Sequence, residues 1–250
     1  MNVATIALDL GLGAVIGAMG GLFGIGGGII AIPALVLVFG MHQQTAEGTA
    51  LVAIVPNTLV GLWSYARRDR LDPRIAFALA STATISSAAF ASLALGWNER
   101  ALGIAFASFL AVVASWILWG LVRKLPVRGR PLPSGWSAIV GAIGGGLSGI
   151  FGIGGATVTP PAMTALFGIE QTAAQGYALA LVAPGSIAAL VTFARAGHVD
   201  WLAGFPLAVG GAFAVPFGVS IAHRLSQRRL KTLFALLVLS TSLVLVIKSI

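Results

Sequence analysis

Cysteine is missing from this 250-residue chain, and charge is scarce: 15 lysines and arginines with seven aspartates and glutamates, 9% of the sequence in all. Without thiols there is no disulfide framework, and cysteine usage carries no information about compartment. A soluble domain is about 25% charged. So few charges cannot clothe a water-facing surface, which excludes a soluble globular domain, a disordered chain and a coiled coil. Catalytic signatures are missing too. There is no GxxxxGKS or GxxxxGKT loop, so the chain itself does not hydrolyse nucleotide. There is no HExxH, no GxSxG around Ser148 in GLSGIFG, and no mid-span aspartate to form a dyad. His42, His198 and His223 have no metal-ligand spacing. The expectation is a protein that is not an enzyme and uses no cofactor and no metal.

What the chain does have is apolar residues, 58% of it, and 33 glycines, nearly twice the average share of roughly 7%. That combination reads as close-packed transmembrane helices with some unwound segments. The net charge is +8. Its basic residues sit in short loops between apolar runs, which is an orientation signal and not a nucleic-acid surface. The first apolar stretch has no lysine or arginine before it and carries Asp9. Residues 4–22 are therefore read as part of the mature fold, not as a cleavable signal.

The chain repeats itself at a shift of 128 positions. GLFGIGGGIIAIPAL (Gly21 to Leu35) falls on GIFGIGGATVTPPAM (Gly149 to Met163), and from Gly13 to Asp72 23 of 60 positions are identical to their partners. The reading is a first repeat at 1–122, a basic cytoplasmic linker at 123–135 and a second repeat at 136–250. Each repeat opens with a long apolar run interrupted by glycines, about 4–40 and 136–168. Three runs of about 20 residues follow in each, enough to cross roughly 30 Å of hydrocarbon. The long first run reads as two helical pieces joined by an unwound glycine tip.

Charge decides between an element that crosses and one that turns back. If it turns back, each repeat crosses three times and the second is upside down. Loops 67–74, 123–130 and 224–231 then share one side with twelve basic residues, against Arg100, Arg195 and Lys248 on the other. If it crosses, the best split is ten against five. The positive-inside rule favours the first arrangement, with both chain ends outside.

Unwound backbone in lipid survives only where it lines a cavity or is buried in protein. A break repeated at matched positions points to a transporter's substrate site. Glycine lets a ligand approach the main chain closely, and the helix beginning after each tip has unpaired, partially positive N–H groups that attract anions. Gly24, Gly26, Gly27, Gly28, Gly152, Gly154, Gly155 and Ala156 are the substrate-site candidates on this ground. Gly13, Gly17, Gly21 and Gly141, Gly145, Gly149 are spaced four apart, which is a helix-packing signature.

Two copies of GxFGIGG followed by a proline, each leading to a QxxAxG stretch, resemble the TauE/SafE family of sulfite exporter-like membrane transporter proteins. ARAGHVDW at Ala194 to Trp201 points the same way. The resemblance covers nearly the whole chain and implies a carrier of small sulfur-containing anions such as sulfite, sulfonates or sulfoacetate. The chain departs from its own pattern at Ala156, where the first copy has Gly28, and RRDRLDPR replaces the RAGHVDW element in the first repeat.

Other polar positions divide between structure and function. Gln43 and Gln171 are matched across the repeat, as are Glu47 and Gln175. They either cap and line a loop or face the cavity beside the tips, with Glu47 then the candidate for proton coupling. Asn57 and Ser186 follow Pro56 and Pro184 and either repair a kink or contact ligand. Thr82, Thr84, Ser86 and Ser87 read as hydrogen bonds between helices. Asp72 and Asp200 read as helix caps. Arg67 and Arg195 occupy one place in the two repeats, as snorkelling side chains or as charges steering an anion to the entrance.

The resulting expectation is an all-α multi-pass protein of the cell (inner) membrane. It has two homologous, inverted repeats, each a glycine-tipped broken or re-entrant hairpin plus three transmembrane helices. Its function is secondary transport of a small anion bound between the tips. An anion channel is the alternative, with an intramembrane enzyme behind it. The partners are the anion and the lipid bilayer, with no nucleic acid, and a homo-oligomer is left open.

Overall fold

A computed structural model describes residues 3–94, 99–123, 132–151 and 154–249, with some side chains inside these helices outside the description. Among the described residues the ordered elements are all helical. The first repeat holds α1 (Val3–Phe23), α2 (Gly28–Val38), α3 (Gln43–Asp69), α4 (Pro73–Ala94) and α5 (Glu99–Arg123). A 3-10 turn at Ser134–Trp136 leads into α6 (Ser137–Phe151), α7 (Gly154–Phe167), α8 (Gln171–Arg195), α9 (Trp201–Arg224) and α10 (Gln227–Ser249). Each long first run is thus two helices, with α2 only 11 residues long. At 1.5 Å per residue α2 extends about 16 Å, half the hydrocarbon thickness. Among the described residues, four stretches are long and apolar enough to cross a membrane: Thr5–Phe23, Gln44–Asp69, Gln171–Arg195 and Trp201–Arg224.

Local chemistry sets the helix ends. Gly40 and Gly168, one repeat apart, stand at φ +64° and +67° just after α2 and α7, the left-handed position at which glycine ends helices. Asp72 Oδ1 accepts from the Arg74 N–H at 2.8 Å, and Asp200 Oδ1 accepts from the Leu202 and Ala203 N–H groups at 3.0 and 3.2 Å. Both aspartates are N-caps. Their own N–H groups donate to matched hydroxyls, Asp72 to Tyr177 Oη and Asp200 to Thr49 Oγ1.

The halves exchange helices. α1 packs along α9, and its counterpart α6 packs along α4. Along α1, a Cβ on Gly13, Gly17 or Gly21 would strike the backbone of Leu207, Gly211 and Val215 in turn. Along α6, Gly141 and Gly145 face Leu79 and Ala83, the equivalent positions. The four-residue glycine spacing is therefore a seam of backbone contact between repeats, as small residues permit. Rising numbers meet rising numbers, so α1 runs parallel to α9.

The hydroxyls of α4 do something other than expected. Thr82, Thr84 and Ser86 donate to carbonyls of Ala78, Ala80 and Ala83 in their own helix. In an apolar, alanine-rich helix the nearest acceptor is the carbonyl three or four residues back, and the side chain takes it.

The chain doubles back at each tip. Ser148 lies against Gly155 and Gly144 against Thr159, a falling-against-rising register that makes α6 and α7 antiparallel. Gly27 lies on Ile16, and Ala31 and Leu35 share a cluster with Ile16. The two tips then meet: Ala156 packs in one apolar cluster with Phe23, Ile25 and Ile29, walled by α5 and α10.

Candidate functional site

Gly24, Gly26 and Gly27 stand at φ +67°, +71° and +93°, where a Cβ is strained and glycine is not. The Gly24 and Ile25 N–H groups both donate to the Gly20 carbonyl and close α1. The Gly27 carbonyl accepts from Ile30 and Ala31 and opens α2. Between them, the N–H groups of Gly26, Gly27, Gly28 and Ile29 meet no acceptor among the described residues. All four residues are buried. A run of unpaired N–H groups at the start of a helix is partially positive and attracts negative charge.

The Cα faces of these glycines are filled by protein. A Cβ on Gly24 would strike Gln175, one on Gly26 would strike Thr58, and one on Gly27 would lie 2.7 Å from Ile16 Cγ2. What the first tip can present to a ligand is its N–H groups, not an open Cα surface.

Gln175 is fully buried against this tip. The Tyr65 hydroxyl stands 2.7 Å from Gln175 Oε1 and 2.7 Å from the Gly21 carbonyl oxygen. Its single proton serves one acceptor at a time. Gln175 Nε2 has no partner among the described residues. Nearby, Asn57 is 1% exposed, and neither atom of its carboxamide has a partner among the described residues. Its amide lies against Gly211, where α9 passes α1. A buried polar group without a partner costs about 1–3 kcal/mol, so each such position calls for a ligand, a water or a function.

The second tip differs. The Gly155 N–H donates to Ser148 Oγ at 3.0 Å. The first repeat has Gly20 where the second has Ser148, so the equivalent N–H of Gly27 has no side chain to meet. Gly154 opens α7 and Gly155 is pressed on Gly144. Gly152 lies outside the described residues, as does the side chain of Gln43, the first residue of α3.

The remaining candidates spread along the bundle. Gln171 opens α8, buried, with Oε1 unpartnered among the described residues. Ser186 donates to the Ala183 carbonyl of its own helix at 2.9 Å. Glu47 is partly exposed early in α3. Arg67 lies 3.9 Å over the Trp63 ring, and Arg195 is exposed in the last turn of α8.

Sequence reasoning missed Tyr65, Thr172, Asp69 and His223. His223 Nε2 lies 3.0 Å from Asp69 Oδ2, and Thr172 Oγ1 donates to Asp69 Oδ1 at 3.2 Å. The counterparts of Asp69 and His223 in the other repeats are Gly197 and Leu95. A comparison of repeats picks out what the halves share, and this cluster is what they do not share.

The chain was compared with known proteins. The family model described as Sulfite exporter TauE/SafE matches residues 10–245. A "Probable membrane transporter protein" of Xylella fastidiosa (strain Temecula1 / ATCC 700964) is 26% identical over 257 residues, covering 100% of this chain and 98% of its own. From Bacillus subtilis (strain 168), "Probable membrane transporter protein YjnA" is 29% identical over 263 residues, covering 98% and 100%. YunE of the same organism, which carries the same description, is 25% identical over 241 residues, covering 87% and 88%. With a family match over residues 10–245 and a bundle of apolar helices beneath it, the chain belongs to the TauE/SafE family of membrane transporters.

Proposed function

We propose that the protein is a secondary carrier of a small sulfur-containing oxyanion, of the sulfite, sulfonate or sulfoacetate class, in the cell (inner) membrane. The observation that carries this reading is the first tip, where four successive buried N–H groups meet no acceptor among the described residues, beside Gln175 Nε2, which has no partner among them either. An oxyanion offers several acceptor oxygens and a negative charge, which suit N–H donors at a helix start. When Tyr65 donates to Gln175 Oε1, the amide is held with Nε2–H2 free to donate. Gly24, Gly26, Gly27 and Gly28 shape this end, with Asn57 and Gln171 as further unpartnered polar groups. Gly152, Gly154, Gly155 and Ala156 shape the opposing tip, where Ser148 already satisfies one N–H. Glu47, at the position equivalent to Gln175, is the proton-coupling candidate of that half.

The repeats are inverted and their first elements re-entrant in this reading. The doubling back of the chain at each tip supports it, since α3 then starts on the side where α1 started. Loops 67–74, 123–135 and 223–231 then face the cytoplasm, in accord with the charge rule.

The test is uptake of radiolabelled sulfite and of a small sulfonate into proteoliposomes. Saturable flux at low turnover is expected. Gln175→Leu should weaken affinity about tenfold, the value of one hydrogen bond to a charged group, while Ser148→Ala keeps it. Flux that does not saturate, or ohmic single-channel currents, would replace the carrier with a channel. Wild-type affinity in Gln175→Leu would remove the first tip from the site.

A further inference from the structure

One hydrogen-bonded cluster ties the first tip to the end of the bundle where α3 stops and α9 stops. His223 on α9 has both ring nitrogens against acceptors: Nε2 lies 3.0 Å from Asp69 Oδ2 and Nδ1 lies 2.8 Å from the Val219 carbonyl oxygen. A neutral imidazole has one proton and can serve only one of them. The ring that satisfies both is the imidazolium cation, paired with the Asp69 carboxylate. Asp69 reaches α8 through Thr172. The His223 ring also sits 5.4 Å from the ring of fully buried Tyr65. The Tyr65 hydroxyl lies 2.7 Å from the Gly21 carbonyl oxygen and 2.7 Å from Oε1 of Gln175, the residue pressed on Gly24, and donates to one of them at a time.

We propose that the Asp69–His223 pair is a proton-binding site that controls the first glycine tip, with Tyr65 and Gln175 as positioning residues between them. With the proton on, His223 clasps α9 to α3, and Tyr65 and Gln175 hold the tip. With the proton off, one ring nitrogen presents a lone pair to a carboxylate or a carbonyl. An attraction becomes a repulsion, and the clasp loosens. The proton leaves to water, because both side chains keep some solvent exposure.

The groups around the pair fit this role. From α3, Tyr65 lies one turn before Asp69 and Arg68 directly precedes it. From α8 come the uncharged Thr172 and Gln175. α10 places Leu230 against Tyr65 and Val219, with Arg228, Arg229 and Lys231 flanking in sequence, and α9 continues to Arg224. α1 contributes the Gly21 carbonyl and no titratable group. Asp69 is thus the carboxylate bonded to the ring, with Asp72 three residues on and Glu170 at the cap of α8 as the other carboxylates on these elements. The second repeat has Gly197 in place of Asp69, and the first has Leu95 in place of His223, so the device exists once and makes the two halves unequal. Within the carrier reading, on which the assignment to coupling rests, it supplies a proton on the side carrying loops 67–74 and 224–231.

The chain has no cysteine, so Ile25→Cys places a single thiol in the first tip, where Ile25 is 1% exposed. Its maleimide labelling rate is measured in detergent without substrate. Rates are normalised to a cysteine at exposed Gly135 so that thiol ionisation cancels. Between about pH 5 and pH 8, where imidazoles titrate, the normalised rate should rise about tenfold or more, the fold-change equivalent of one charged hydrogen bond. In the Ile25→Cys background, His223→Gln should label slowly at every pH, since its amide still donates to Asp69 and does not titrate. Asp69→Asn should label fast at every pH. A flat rate in the parent, or a rise that persists in His223→Gln, overturns the proposal. Nitrogen-15 NMR of histidine-labelled wild-type protein is the second measurement. The His223 ring should be doubly protonated at the acid end of that range, and a neutral ring throughout overturns the proposal even if the variants misfold. Because the labelling needs no substrate, its failure leaves the carrier reading standing. Loss of saturable flux with labelling intact would remove the carrier and leave the proton site.

Discussion

Adding one methyl group to Gly17 probes the architecture directly. An ideal Cβ there lies 2.5 Å from Gly211 Cα and 2.6 Å from its carbonyl carbon. Carbon atoms rest about 3.5–4.0 Å apart, so α1 and α9 must part by about 1 Å or more. The neighbours cannot rotate away, because they are backbone. Overpacking of this kind costs about 1–3 kcal/mol. Against that, alanine in a helix interior gains about 0.5–1 kcal/mol over glycine. The clash wins, and Gly17→Ala should be less stable by about 1–2 kcal/mol net. Gly11 on the same helix has nothing within 4 Å of its Cβ position, so Gly11→Ala should be neutral or slightly stabilising. Gly145→Ala, which would strike Ala83 on α4, should behave like Gly17→Ala. The measurement is the denaturant midpoint of purified protein in detergent, read for all three variants in one series with unchanged slope. Equal stability of Gly17→Ala and Gly11→Ala would refute the backbone seam between repeats, and with it the helix exchange.

Two further outcomes follow from the proposed topology and its charges. Cysteine at position 98 should react with an impermeant reagent added outside, while cysteine at position 129 should react only after the membrane is opened. The reverse pattern would sink the inverted repeat. Arg195→Gln should slow anion entry from the outer side and Arg67→Gln from the inner side. Both defects should shrink with salt, since screening acts over about 10 Å at 0.1 M. A salt-independent loss from both sides would move that arginine into the site or the fold.

Much of the framework was legible before any coordinates. Composition alone demands a membrane, and the 128-residue shift marks the glycine tips and the matched caps Asp72 and Asp200. These are local or repeated features. A cap needs only its next three residues, and a left-handed glycine needs only its own φ. The four-residue glycine spacing marked a packing face as well, because that period lies on one side of a helix.

Tertiary structure alone decided which helix fills that face. The partner of α1 is α9, from the other half of the chain, and no spacing in either segment names it. It also decided that glycine Cα faces are buried and N–H groups left over, since that depends on Gln175, Thr58 and Ile16 arriving from elsewhere. The Ser148 hydroxyl satisfying Gly155, where Gly20 has no side chain to do the same, depends on a helix doubling back on its predecessor. The same holds for Asp69 and His223, 154 positions apart. Each ends an apolar run beside a basic loop, so along the chain both read as solvated flanks. Only the approach of α9 to α3 puts a proton between them, because a hydrogen bond has a reach of about 3 Å and the sequence has no coordinate for distance across the bundle.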